Sequence, residues 1–280
     1  MFRQVIAGVD GGPTGRDAIA IARSLVEPGG RLAFANVHEL TPWRGASGAY
    51  GPSENEESLA LLEAEREATG VQAELLTVTA SSVGRGLHYL AEQQGAELLA
   101  VGSNMRSLVG RVLIGDATRA ALIGAPCAVA VAPVGHASGD GALRRIGVGY
   151  DGSPESRAAL SCARELAARH GAALSALTVI EPSRPGALLR AVGAGESPEE
   201  QLDAARHELA ELDGVDGDAT LGVAGEELAA FGAGVDLLVV GSRGYGPLRC
   251  LIFGSTATHL ASNARGALLV LARLAGDGAS

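Results

Sequence analysis

The stretch QVIAGVDGGPTGRDAIAIARSL (residues 4–25) is echoed later in the chain by RIGVGYDGSPESRAALSCAREL (residues 145–166). In each, an apolar run ends in Asp-Gly and gives way within a few residues to apolar positions at helical spacing. A strand that feeds straight into a helix is the first half of a βαβ unit, the connection that parallel strands require. A second pair of blocks extends the echo: ELLAVGSNMRSLVGRVLIGDATRAAL from Glu97, and DLLVVGSRGYGPLRCLIFGSTATHLA from Asp236. Asp10 and Asp151 lie 141 residues apart, Gly102 and Gly241 lie 139 apart. A period near 140 is too long for a solenoid repeat and reads as a domain duplication whose loops differ slightly in length.

Outward from these blocks, the first half reads as alternating elements. Strands are expected over 5–9, 32–37, 71–78, 98–101 and 128–131, and helices over 14–26, 53–68, 86–93 and 117–123. The second half follows the same order from 146 to 271, with a shorter third helix around 226–231. Alternation with near-continuous apolar strands predicts a parallel α/β sheet covered on both faces. The division expected is a first domain over 1–133, a linker over 134–143 in a small, polar stretch, and a second domain over 144–280. Two Pro- and Gly-bearing loops, 41–52 and 181–198, follow the second strand of each half, at the carboxyl edge where doubly wound sheets carry binding loops.

Composition excludes several chemistries. Of 280 residues 47% are hydrophobic and only 3% aromatic, so the core is built from Ala, Val, Leu and Ile. The net charge of −10 divides evenly, −5 on each side of residue 140, and an evenly acidic surface disfavours nucleic acid and anionic membrane as partners. All 22 basic residues are arginine. Without lysine there is no Walker-type P-loop, no kinase strand lysine and no Schiff base. Cys127, Cys162 and Cys250 are far apart with no His at ligand spacing, which argues against zinc. Residues 1–10 enter a strand without a signal-type apolar region, and no run nears the ~20 apolar residues that span a bilayer, so a cytoplasmic protein is expected.

The stretch that carries chemistry is GSRGYGPLRCLIFGS (residues 241–255), a glycine-rich passage between an apolar strand and a helix. Glycines let the backbone approach an anion, and the free N–H groups at the following helix start supply donors and a positive dipole end. Ser255 and Thr256 add hydroxyls at that cap. Gly241, two residues, Gly244, nine residues, Gly254, then Ser255 resembles the G-x2-G-x9-G-[ST] ATP-binding signature of the universal stress protein family. Its place after the fourth strand, and the Asp151-Gly152-Ser153 that ends the first, match that family too. The resemblance covers residues 3–133 and 144–273 and implies two tandem flavodoxin-like, Rossmann-like domains of the adenine nucleotide alpha hydrolase type. Each would be a five-stranded parallel sheet of order 3-2-1-4-5 with nucleotide at the switch point between strands 1 and 4. It implies Asp151 beside adenine and ribose, Val179 on the base, Val240 and Gly241 under the ribose, and Gly244, Gly254, Ser255 and Thr256 around the phosphates. It further implies that the paired domains associate through their last strands, a pseudo-dimer within one chain; whether two chains form a homodimer is left open.

The first half departs from the signature. Its loop, residues 102–116, keeps Gly102 and Gly115 but has Met105 in place of Gly244 and Asp116 in place of Ser255. Met105 fills the space that backbone must use, and Asp116 sets a carboxylate at the cap. At an effective dielectric of about 20 and ~4 Å, two like charges repel by about 4 kcal/mol, roughly a thousandfold in affinity. The first site is therefore expected to hold no nucleotide.

Plainer readings stand beside these. Asp151 on its own also reads as a turn residue ahead of a helix begun by Ser153 and Pro154. Arg243 and Arg249 read equally as phosphate contacts or solvated loop residues, His38 as a loop residue, and His259 as a packing residue. No GxSxG, HExxH or other nucleophile-and-base spacing appears. The reading is thus an ATP-binding regulatory protein of the stress response with a protein partner not named by the sequence. Two alternatives stay open: an adenine nucleotide hydrolase, slow and with Mg2+ carried in on the nucleotide, and a ligand-free interaction scaffold.

Overall fold

The computed structural model describes residues 1–40, 52–103, 116–181, 197–242, 255–263 and 266–272. In the first half the elements are β1 (Phe2–Gly8), α1 (Pro13–Leu25), β2 (Val26–Glu39), α2 (Pro52–Thr69), β3 (Glu74–Ala80), α3 (Val83–Gln94), β4 (Leu98–Gly102), α4 (Asp116–Leu122) and β5 (Ala128–Ala132). After a 3-10 turn (His136–Ser138), the second half repeats them as β6 (Arg145–Gly149), α5 (Pro154–His170), β7 (Ala173–Ile180), α6 (Pro198–Ala210), β8 (Asp216–Leu221), α7 (Ala224–Gly232), β9 (Leu237–Gly241), α8 (Ser255–Asn263) and β10 (Ala267–Leu271). The strands form one sheet in the order β3-β2-β1-β4-β5-β10-β9-β6-β7-β8. Each half reads 3-2-1-4-5 outward to inward, parallel throughout, and the halves meet where β10 runs antiparallel to β5, with Leu268 opposite Val131, Leu269 opposite Ala130 and Val270 opposite Val129.

The alternation of side chains along these two strands explains how the junction is covered. In β5, Ala128, Ala130 and Ala132 face one core layer while Val129 and Val131 face the other. Ala267 and Leu269 of β10 join the first layer, Leu268 and Val270 the second. Both layers are continuous across the two halves. The first gathers Ile19 and Leu25 of α1 with Leu160 and Leu166 of α5, and the second gathers Leu87 of α3 with Leu260 of α8. The small alanine face of β5 lets the largely buried α1 lie close to the sheet.

Several boundaries differ from the sequence expectation: β1 begins at Phe2 rather than 5 and β3 spans Glu74–Ala80 rather than 71–78, and two further shifts have identifiable reasons. β2 begins at Val26 rather than 32, because Phe2 pairs with Val26 and the register then jumps so that Gln4 pairs with Arg31. α3 begins at Val83 rather than 86, capped by the Ser82 side chain accepting from the Arg85 N–H at 3.4 Å. Gly84, left outside the expected helix, and Gly86, at its expected start, are close-packing positions: a Cβ on Gly84 would run into the Ala120 carbonyl, and one on Gly86 into the Val37 side chain.

The stretch expected as the linker is fastened at both ends. Asp17 of α1, a buried carboxylate, accepts from Gly135 N–H at 2.9 Å and Ala137 N–H at 2.7 Å. Asp236, just ahead of β9, accepts from the N–H groups of Arg144 and Arg145, each at 2.8 Å. His170 at the end of α5 is within hydrogen-bond distance of the Ser24 carbonyl (2.9 Å), and Arg169 donates to the Val26 carbonyl, tying the second half to the first.

Candidate functional site

The carboxyl ends of β7, β6 and β9 lie side by side, because Gly149 pairs with Leu177 and Val148 with Val239. This register sets Asp151 just past β6, Val179 near the end of β7, and Val240 and Gly241 at the end of β9. These four residues, from three strands, share one edge of the sheet. Val240 is buried in the second core layer and Val179 packs partly buried against that layer, an apolar floor. Thr256 is half-buried in the first turn of α8. Gly244, Gly254, Arg243, Arg249 and Cys250 lie outside the described residues, as do Met105 and Gly115; Ser255 and Asp116 open α8 and α4, with their side chains outside the description.

Asp151 has the local role that its sequence context also suggested. Its Oδ1 accepts from the Ser153 N–H at 3.1 Å and from the Ser153 hydroxyl, while Gly152 between them has φ of 70°. Ser153 in turn caps α5 by accepting from the Ser156 N–H at 3.2 Å. The turn aims the chain from strand into helix and fixes the carboxylate at the strand ends. Thr178, not singled out by sequence, donates its hydroxyl to the Tyr150 carbonyl at 2.9 Å and so pins β7 to the end of β6. An alternating strand pattern gives no sign of such a bond.

Gly241 has a packing cause of its own. A Cβ there would lie 2.7 Å from the backbone carbonyl carbon and oxygen of Glu155 at the start of α5. Its counterpart Gly102 would clash in the same way with the Thr14 carbonyl at the start of α1. Glycine at these two positions is required by the approach of helix to strand whether or not a ligand binds. His259 packs its ring against Gly225 of α7, in keeping with a packing role, and His38 sits within β2 rather than in a loop.

In the first half the equivalent edge is built with different side chains. Asp10 Oδ1 accepts from Gly12 N–H (2.9 Å) and Gly15 N–H (3.2 Å), and its Oδ2 from the Thr14 hydroxyl at 3.3 Å. Asn36 takes the place of Thr178 and donates its Nδ2 to the Val9 carbonyl at 2.8 Å. Thr118 takes the place of Ala257 and donates to the Gly102 carbonyl at 2.7 Å. Asp10, Asn36, Thr118, Val37, Val83 and Leu87 are among the described residues that line a partly open cavity of about 120 Å³.

Neither half offers an activated nucleophile or a metal cluster among the described residues. Burial pushes the Cys127 thiol up to about 12 and the Cys162 thiol up to about 11, so both stay protonated. No group of three His, Cys, Asp or Glu side chains is placed to hold a metal ion among the described residues. No helix among them is long and apolar enough to cross a membrane.

Comparison with known proteins agrees with the duplicated architecture. The model of the universal stress protein family matches residues 1–133 and again residues 142–272. No curated protein sequence matches the chain. Among solved structures, a universal stress protein from Archaeoglobus fulgidus superposes with a TM-score of 0.66 at 20% identity, over 95% of this chain and 97% of that one. A functionally unknown protein from Pseudomonas aeruginosa PAO1 does so with a TM-score of 0.65 at 14% identity, over 96% and 92%. At these identities the structural likeness speaks for the fold, while the double family match covers nearly the whole sequence. The chain belongs to the universal stress protein family and carries two of its domains in tandem.

Proposed function

We propose that this is a nucleotide-binding regulatory protein of the cytoplasmic stress response, with one ATP held by the second half and not turned over efficiently. The observation that carries the reading is the placement of the glycine pattern. Gly241 is the last residue of β9 and Ser255 the first of α8, so the whole G-x2-G-x9-G-S passage spans one strand-to-helix connection beside the Asp151 turn. The residues present fit an adenine nucleotide. Val179 and Val240 offer an apolar floor for a base, Asp151 an acceptor at the strand ends, and the first N–H groups of α8 with Ser255 and Thr256 a donor set for phosphate. Mg2+ would travel with the phosphates. The sequence carries no GxSxG or HExxH spacing, and the reading is therefore one of binding in place of cleavage. Binding state would then be read by a protein partner at this sheet edge. Mass spectrometry of ligand released from freshly purified protein tests the proposal, with about one adenine nucleotide per chain expected. Two per chain, or none even after incubation with millimolar ATP, would refute it.

A further inference from the structure

The ten-stranded sheet ends on β3 at one side and on β8 at the other, and the two edges are finished differently. In a parallel ladder, alternate residues turn both N–H and C=O to the neighbouring strand, and the residues between them turn theirs outward. The Leu40 N–H donates to the Ala80 carbonyl and the Gly222 N–H to the Ile180 carbonyl, and both edge ladders keep an unbroken register. The outward groups are therefore those of Leu75, Thr77 and Thr79 on β3, and of Gly217, Ala219 and Leu221 on β8. The middle of the β8 edge is blocked. Asp218 Oδ1 accepts from the Ala219 N–H at 2.8 Å, and Arg206, which also pairs with Asp218, donates to the Ala219 carbonyl at 3.3 Å. An edge closed by its own charged side chains is a poor template for a further strand. On β3 the corresponding positions are Leu76 and Thr77, because Asn36 pairs with Thr77 as its counterpart Thr178 pairs with Ala219. No group among the described residues bonds the outward N–H and C=O of Leu75, Thr77 or Thr79.

The open edge is also apolar. From Leu75 to Ala80 it carries no charged side chain, and Leu75, Leu76 and Val78 are only partly buried. Leu76 and Val78 lie in the core layer beneath α3. Gly84 meets Ala120 of α4, and His88 Nε2 is 2.8 Å from the Ala121 carbonyl, so helical spacing sets Tyr89 on the flank of α3 turned away from α4. Tyr89 is 52% exposed there, whereas α7, whose Gly225 meets α8 as Gly84 meets α4, has Ala230 at the equivalent position. We propose that β3 is the pairing edge for β3 of a second copy of this chain, antiparallel about a two-fold axis at Thr77. In that register Thr77 faces Thr77, Leu75 faces Thr79 and Leu76 faces Val78. The outward residues fall on hydrogen-bonded pairs, so each of their N–H and C=O groups finds a partner. Leu76 and Val78 fall on the closer, non-hydrogen-bonded pairs and cover one another on the face that carries Tyr89. Glu74 lies opposite Ala80, so no like charges meet along the strand. The blocked β8 edge is what selects a second copy: with one open edge per chain, pairing closes at two and does not run on as a fibre.

Sedimentation equilibrium of the full chain, joined to cross-linking, tests the assignment. The unaltered chain is expected to form a reversible dimer. Thr77→Pro removes an outward N–H that the β2 ladder does not use, a change that edge strands tolerate, and Tyr89→Ala copies Ala230. Each should weaken the dimer at least tenfold, with the melting temperature unchanged at dilutions where the chain is monomeric. Where proline lowers that temperature, Thr77→Cys decides. Opposed residues of a hydrogen-bonded pair have Cα atoms about 5.5 Å apart, within disulfide reach, so glutathione disulfide should link two copies through residue 77, as located by peptide mass spectrometry. Asp218→Leu with Ala219→Thr writes Leu76 and Thr77 into β8 and should carry the dimer on to longer assemblies. A chain that stays monomeric at millimolar concentration, a dimer that Thr77→Pro or Tyr89→Ala leaves at full strength, no link through residue 77, or a β8 double variant that stops at two copies would each overturn it.

Discussion

The two halves share a frame and differ at its rim. Gly102 and Gly241 are both held to glycine by a helix backbone, and Asp10 and Asp151 both close the turn that leads into that helix. At the rim, Val9, Thr14, Asn36 and Thr118 of the first half stand where the second has Tyr150, Glu155, Thr178 and Ala257. In the loop, Met105 and Asp116 stand where the second has Gly244 and Ser255. Positions whose alternatives would clash with backbone have stayed alike, while positions facing the cleft have diverged. Likeness at Gly241 is therefore weak evidence for a ligand, and the proposal that only the second half holds nucleotide rests on the difference between Ser255 and Asp116.

The largest effect is expected from erasing that difference. Ser255→Asp should weaken ATP binding by about a thousandfold, the consequence of one like charge at ~4 Å and intermediate dielectric, as measured by calorimetry. Retention of ATP within tenfold would mean that the cap charge is not what separates the halves. Next come the shared glycines. Gly102→Ala and Gly241→Ala should each destabilise by about 3 kcal/mol in urea denaturation, because each Cβ meets backbone and not a movable side chain. A neutral result at Gly241 with a large one at Gly102 would show that only the first half is tightly closed.

Asp17→Ala writes into α1 the residue that α5 carries at the equivalent position, Ala158. The Gly135 and Ala137 amides then lose their acceptor, at a cost of about 2 kcal/mol, and their hydrogen exchange should accelerate. The smallest effect concerns His136 beside them. Burial lowers its affinity for a proton, opposed by the carboxylates of Asp17 and Asp236, and its Nε2 is buried without a partner among the described residues. Below its ordinary value of 6.5 the unfolded chain takes up a proton that the native imidazole resists. Stability should therefore fall gently as pH drops from 6.5 through the lowered native value. His136→Gln should flatten denaturation midpoints over that window and leave those above pH 7 unchanged.

Much of the fold was legible because its signals are local. The run Leu237–Gly241 is apolar throughout and the passage after it is rich in glycine, so strand and loop could be told apart from neighbours alone. The misplaced boundaries arose where a residue's reason is not local. The helix expected from 86 leaves out Gly84, and only the approach of α4 and β2 shows Gly84 and Gly86 to be contacts within α3. Asp17 in GRDAIAIA reads as a solvated helix charge, and nothing nearby in sequence announces that residues 135–137 return to cover it. The same holds for the site. Asp151, Val179 and Gly241 could be named by motif, but Asn36 and Thr178, which bridge neighbouring strands, leave no trace in an alternating pattern.

By itself the sequence determined the duplication, the alternation of strands and helices, the glycine spacing of the second half and the charge that sets Asp116 against Ser255. These are properties of neighbours along the chain or sums over it, so no fold is needed to read them. The tertiary structure decided that both halves share one ten-stranded sheet and two continuous core layers, that the linker is clamped, and that the first half keeps a cavity. Those features depend on pairs such as Ala130 with Leu269, or Asn36 with Val9, whose meeting is set by packing across the whole molecule.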